Sequence, residues 1–439
     1  MTVPRTGTDT YVPGHGDRRW SATAYTLELD YKVATNHLSG WAHVDVQLAE
    51  AGRDIELDLY GLRVSSVLID GQKAKNYSHN GSRLKVTLRP DGGDRIRLSV
   101  AYAGKPRPMP GPDGRAGWEE LTDGVLVGSQ PHGAPSWFPC NDRADDKAPY
   151  RIAMSVESGY HLVGNGALVD KRTRSGRTTW TYEQREPMAP YLACVQIGRY
   201  AVTHLTAQPV PVDVVAPAGA RIGAGSAFEH QGAMVTAMSA WFGPYPFGAY
   251  RAVVAADTFE IPLEAQGLAS FGINHVTPAW ENERLVAHEL AHSWFGNSLT
   301  ARSWADIWLH EGFACYSEWL WAEHRGMRSV EDQAREQWKR LSRLPQDLVI
   351  GAPGADRMFD DRVYKRGALT VHALRLALGD ESFFAAVRAW TAAHAYGVVT
   401  TPDLIAHFGS VEAPADRAVP QVDSIIQTWV YAAPLPELG

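Results

Sequence analysis

In the stretch VAHELAHSWFGN, residues 286–297, His288 and His292 stand four apart with Glu289 directly after the first. On a helix, residues four apart are offset by about 40° and rise about 6 Å, so both imidazoles can face one ion. Zinc takes nitrogen at about 2.0–2.1 Å and, in a catalytic site, uses three protein ligands plus water. Glu289 lies about 100° further round the helix, too far to ligate beside its neighbour but able to reach a metal-bound water. Two histidines and a glutamate also occur on ordinary amphipathic helices, so the third ligand decides. Glu311, nineteen residues after His292, stands in WLHEGFACY among Trp308, Leu309, Phe313 and Tyr316. A carboxylate among such neighbours is costly to bury unless it is paired or bound to metal. His288, His292 and Glu311 are therefore the expected ligands of one Zn2+ per chain, with Glu289 as general base. Two neutral imidazoles and one carboxylate leave the site net positive, which lowers the pKa of bound water to about 7. The reaction class that follows is metal-assisted hydrolysis of a carbonyl compound. Peptides, esters and other electrophiles all remain open on this chemistry.

Helices must present these groups, and the pattern provides them. PAWENERLVAHELAHSWFG carries apolar residues at 285, 286, 290, 291, 294 and 295, a helical face that should stop at Gly296. SWADIWLHEGFACYSEWLWAEHRG should form the next helix, starting at Ser303 or Asp306, ending at Gly326 and holding Glu311 near its centre. GALTVHALRLALG, ESFFAAVRAWTAAHA and the earlier AFEHQGAMVTAMSAWFG also have helical spacing, and YRAVVAADTF reads as a strand. The first two hundred or so residues differ. TAYTLELDYKV, HVDVQLA, DIELDLYGL, RLKVTLRP and RIRLSVAYAG alternate apolar and polar residues between NG, DG and AG breaks. AGKPRPMPGPDGRAGWEE reads as a Pro/Gly-rich surface loop joining two sheets. The expected organisation is α+β: an all-β domain over residues 1–205 and a mainly helical one over 206–439.

The composition sets the outer bounds. Hydrophobic residues make up 45% and charged residues 21% of the 439 residues, as in soluble globular proteins. A formal charge of −7 argues against a nucleic-acid partner, because phosphate binding needs a basic surface. No apolar run is long enough to span a bilayer, and MTVPRTGTDTYVPGHGDRRW has no signal-like core, so no membrane partner is expected. Three scattered cysteines, Cys140, Cys194 and Cys315, fit a reducing compartment and a cytoplasmic location. Oligomeric state is not legible.

HELAH followed by the glutamate of LHEGFA resembles the gluzincin aminopeptidases, the relatives of aminopeptidase N and leukotriene hydrolase. The likeness extends through WFGNSLT, WADIWLHEGFA, VYKRGAL, SQPHGAPSWFPCNDRADDKAPY and the closing WVYAAPLP. It implies a saddle-like β domain followed by a thermolysin-like zinc metallopeptidase domain, in a short two-domain member of bacterial type. The helical C-terminal domain of larger relatives is then absent, and the cleft is more open. The resemblance further implies that Tyr364, in the family's Tyr-x-Lys-Gly motif (here Tyr-Lys-Arg-Gly), donates to the oxyanion. It implies that Glu264, in IPLEAQG, binds the substrate α-ammonium and that Gln130 contacts substrate. The chain departs from the family's Gly-x-Met-Glu-Asn motif, with Ile261, Leu263 and Ala265 at the Gly, Met and Asn positions. Asp306 and Asn297 read equally as supports of the zinc histidines and as helix caps. The expected activity is removal of N-terminal residues from peptides. The alternative is a zinc endopeptidase or leader-peptide processing protease with an open cleft.

Overall fold

Along SATAYTLELDYK every second side chain is apolar, and in the computed structural model this alternation becomes the strand Trp20–Lys32, with one face buried. The structure describes residues 9–49, 54–88, 93–112, 114–205, 209–411 and 421–438. Trp20–Lys32 pairs antiparallel with His37–Leu48 and parallel with Ala148–Glu157, in the middle of an eight-stranded sheet. Arg95–Gly104 extends that sheet beside His37–Leu48, as its alternation predicts. Tyr25 stacks on Tyr150 across the parallel pair, with ring centroids 4.7 Å apart, and Phe138 packs edge-on against both. A three-stranded sheet contains Ile55–Asp58, Arg83–Val86 and Tyr77–His79.

The Pro/Gly-rich segment corrects its expectation. Lys105–Pro108 is irregular, but Met109–Gly111 and Gly114–Leu121 pair as antiparallel strands in a five-stranded sheet. Met109–Gly111 is an edge strand of that sheet, the place where a sheet tolerates a proline such as Pro110. A second five-stranded sheet orders Tyr200–Leu205, Val212–Pro217, Tyr250–Val254, Leu268–Phe271 and Leu263–Ala265.

By their internal contacts the residues form two compact units. One holds Met1–Thr203, Asp213–Ala220 and Phe247–Asn274; the other holds His204–Val212, Arg221–Pro246 and His275–Gly439. The second is helical: α1 (Gln231–Phe242), α2 (Trp280–Ala291), α3 (Trp308–His324), α4 (Val330–Leu341), α5 (Asp361–Leu378), α6 (Asp380–Ala393), α7 (Thr401–Gly409) and α8 (Val422–Trp429). Of these, α3 is the core element, buried continuously from Trp308 to Ala322. Where α3 meets α5, Gly312 and Gly367 face each other so closely that a Cβ on Gly312 would lie 2.8 Å from the Gly367 carbonyl carbon. Among the described residues no helix is long and apolar enough to cross a membrane.

Candidate metal centre

Glu281 and Glu283 in the first turn of α2 match the positive end of its dipole, and the helix runs to Ala291 with His292 as its C-cap. The chain then widens its turn: Asn297 N donates to His292 O, Ser298 N to Ser293 O and Leu299 N to Trp294 O, each across five residues. This turn brings the Phe295 carbonyl back over His292, whose Nδ1 donates to it at 2.9 Å. Helix α2 thus stops before Gly296, which takes φ 121° and lies outside it.

Helix α3 begins later than predicted. Ser303 Oγ accepts from Ala305 N and caps a short 3-10 turn, Trp304–Asp306, and α3 follows from Trp308. Glu311 therefore sits in the first turn rather than near the centre, and it is 2% exposed. Two turns on, Glu318 accepts from His288 Nδ1 at 2.8 Å. Arg284 lies 3.2 Å from the other Glu318 oxygen, with Lys365 at 3.9 Å.

A carboxylate and a carbonyl can only accept, so both imidazoles carry their hydrogen on Nδ1 and a lone pair on Nε2. The Nε2 atoms of His288 and His292 stand 3.2 and 3.5 Å from one Glu311 oxygen. Donors bound to zinc at about 2.0–2.2 Å in a tetrahedron stand about 3.3–3.5 Å apart. Three lone pairs converging in a buried site need a cation between them, so the donor set fits the ion. Burial opposes charge on His288, but Glu311 and Glu318 outweigh it and raise the imidazole to about 9. Burial likewise opposes charge on Glu311, and the two imidazoles hold its carboxyl well below the usual carboxylate range. Both shifts report the attraction between Glu311 and the imidazoles, in which a proton on Nε2 takes the place of a metal cation.

Glu289 follows His288 on α2 and is 5% exposed. Tyr364 lies in the first turn of α5, whose cap is Asp360, accepting from Arg362 N. Its ring runs nearly parallel to that of His288, centroids 6.0 Å apart. Asp306 accepts from Thr401 Oγ1 at 2.5 Å, and the Asn297 amide closes the turn on the His292 carbonyl. In the other compact unit, Glu264 lies on the strand Leu263–Ala265 and is half-buried, and Gln130 Nε2 donates to its Oε1 at 2.6 Å. Glu318 was not singled out by the sequence. The one signal for it is a glutamate seven residues after Glu311, two turns along the same helix face.

Residues 226–429 match the Peptidase family M1 domain, and residues 21–192 match the Peptidase M1 N-terminal domain. A solved mutant of the M1 zinc metallopeptidase from Deinococcus radiodurans, bound to a Tyr-Ser-Ala substrate, is 30% identical to this chain. That likeness covers 98% of each chain with a TM-score of 0.87. A two-domain M1 zinc metallopeptidase mutant bound to L-arginine is likewise 30% identical, covers 98% of each chain and has a TM-score of 0.87. The leucyl aminopeptidase of Saccharolobus solfataricus is 23% identical over 82% of this chain and 47% of its own length. The alanine/arginine aminopeptidase of Saccharomyces cerevisiae is 22% identical over 94% of this chain and 51% of its own. The chain belongs to peptidase family M1. It spans about half the length of these two curated relatives.

Proposed function

We propose that this chain is a zinc metallo-aminopeptidase that removes N-terminal residues from peptides. The observation that carries the reading is the convergence of the His288 and His292 Nε2 atoms on Glu311, with both Nδ1 atoms tied off elsewhere. His288, His292 and Glu311 would hold one zinc ion, which, when bound, supplies Lewis acidity toward the scissile carbonyl and toward water. Glu289 takes the proton of the attacking water and passes it to the departing amine. Tyr364 donates from its phenol to the carbonyl oxygen as negative charge develops there. Glu264 receives the α-ammonium of the peptide, with Gln130 orienting its carboxylate through Oε1. Residues 1–205 and 206–439 are proposed as the two domains along the sequence, the second lending residues 213–220 and 247–274 to the β-rich unit. The cytoplasm is proposed as the location, on the three cysteines, which are all buried and unpaired.

The altered residues around Glu264 favour one competing reading, an endopeptidase or leader-peptide processing protease on the same zinc machinery. A mixed peptide library, free and N-acetylated, incubated with the zinc-loaded protein and read by mass spectrometry, separates the two. Stepwise loss of N-terminal residues from the free set alone is the expected result. Internal cleavage of both sets would remove Glu264 from its role. No cleavage of either would overturn the peptidase reading for ordinary peptides.

A further inference from the structure

A second group of metal-type donors lies in the β-rich unit, on residues that no step above uses. His15 precedes the first strand, His132 follows the strand Gly124–Gly128, and Asp142 lies in the loop before Ala148–Glu157. The His15 Nδ1 stands 2.9 Å from Asp142 Oδ2, and the two imidazole rings are 4.7 Å apart, centroid to centroid, at 54°. One donor atom from each of the three residues lies within 4.8 Å of the others. His132 is 2% exposed and Asp142 4%, whereas His15 keeps some solvent access.

Two features set this group apart from an ordinary buried ion pair. The first is the His132 Nδ1 atom, which is buried and has no hydrogen-bond partner. An orphaned ring nitrogen inside a protein is costly unless something binds it. Only a glycine at 111 permits the ring to lie as it does, since a Cβ there would come within 1.8 Å of His132 Nε2. The second feature is a surplus of carboxylate. Asp58 is buried against the group and accepts from Gly16 N at 2.7 Å and from Asp142 N at 3.3 Å. Arg83, the cation that also acts on Asp58, lies 3.5 Å from Glu56.

We propose that His15, His132 and Asp142 form a second, structural metal site for a borderline divalent ion such as Zn2+, Co2+ or Ni2+. Two imidazoles and one carboxylate suit these ions and not Ca2+ or Mg2+, which prefer all-oxygen ligands. Ligation places donors about 3.3–3.5 Å apart, so the three groups would close on the ion. The ion joins two stretches far apart in the chain: the one before the first strand and the one that runs from His132 to Asp142. It would clasp the segment Tyr11–Asp17, in which Tyr11, Val12, Gly16 and Asp17 are buried, onto the body of the unit.

The test is a Co2+ titration of the metal-stripped, untagged chain, followed by visible absorption and by metal content after desalting. Two equivalents are expected for the wild type and one for His132→Ala. His292→Ala should also bind one, at the new site, and that equivalent should raise its melting temperature by several degrees. His15→Ala repeats the test at a less buried position should His132→Ala fail to fold, and it too should bind one. A single equivalent in the wild type that His292→Ala abolishes would overturn the proposal. So would two equivalents retained by both His132→Ala and His15→Ala. Neither result touches the peptidase reading, which in this titration would be undercut only by the absence of an equivalent sensitive to His292→Ala.

Discussion

His288 and His292 each give their Nδ1 hydrogen to an acceptor outside the donor cluster, Glu318 in one case and the Phe295 carbonyl in the other. That choice decides which nitrogen meets a metal and makes Glu318 a positioning residue. Glu318→Gln should weaken zinc binding by about 10–100-fold, as loss of such a partner does; competition with a chromophoric chelator reads it directly. Glu289→Ala should retain one zinc by metal analysis and lose turnover by about 10³-fold or more. Normal hydrolysis by that variant would end the proposed mechanism. Tyr364→Phe should lower kcat by about 10²–10³-fold with little change in KM. The convergence of His288, His292 and Glu311 was legible at this scale because coordination chemistry constrains their types and spacing, whereas Tyr364 and Glu264 were singled out only through the family resemblance. Glu318 was not, because a carboxylate on a helix face reads as solvated until its partner is seen across the packing.

Helices α3 and α5 carry Glu311 and Tyr364, and at Gly312 and Gly367 their backbones meet directly. Gly312 neighbours the expected zinc ligand directly, and Gly367 lies three residues beyond Tyr364. Gly312→Ala should therefore push the helices apart at the one level where the site needs them together. We expect it to cost about 1–3 kcal/mol of stability and to weaken zinc binding, both measurable by melting with and without the metal. Strands such as Arg95–Gly104 could be read from alternation, because one face of each is buried and the other is not. Met109–Gly111 could not, since proline and glycine signal a turn unless the strand is an edge. The start of α3 was misplaced for a related reason: Ser303 does cap a turn, but a 3-10 one that precedes the α-helix.

Over the whole molecule, a formal charge of −7 favours the approach of cationic peptides. The value of kcat/KM for a peptide rich in lysine should fall several-fold between low and moderate ionic strength, while that for an acidic peptide should rise or stay level. At this scale the sequence conveyed the broad division into β-rich and helical parts, since that follows from periodicity. It did not convey that residues 213–220 and 247–274 return to the β-rich unit, because strand partners are chosen across the chain and leave no local mark. One long-range tie has a consequence of another kind. Arg366 in α5 is 4% exposed, and its guanidinium donates to the carbonyls of Thr428, Trp429, Ala432, Ala433 and Pro434. Every proposed reacting group has been synthesised by residue 364, yet the helix that carries the tyrosine gains these five acceptors only after some sixty further residues have followed. At ordinary rates of synthesis that interval is roughly 3–13 s. During it α5 lacks this one restraint, so the proposed site should reach its final alignment only when this stretch is complete.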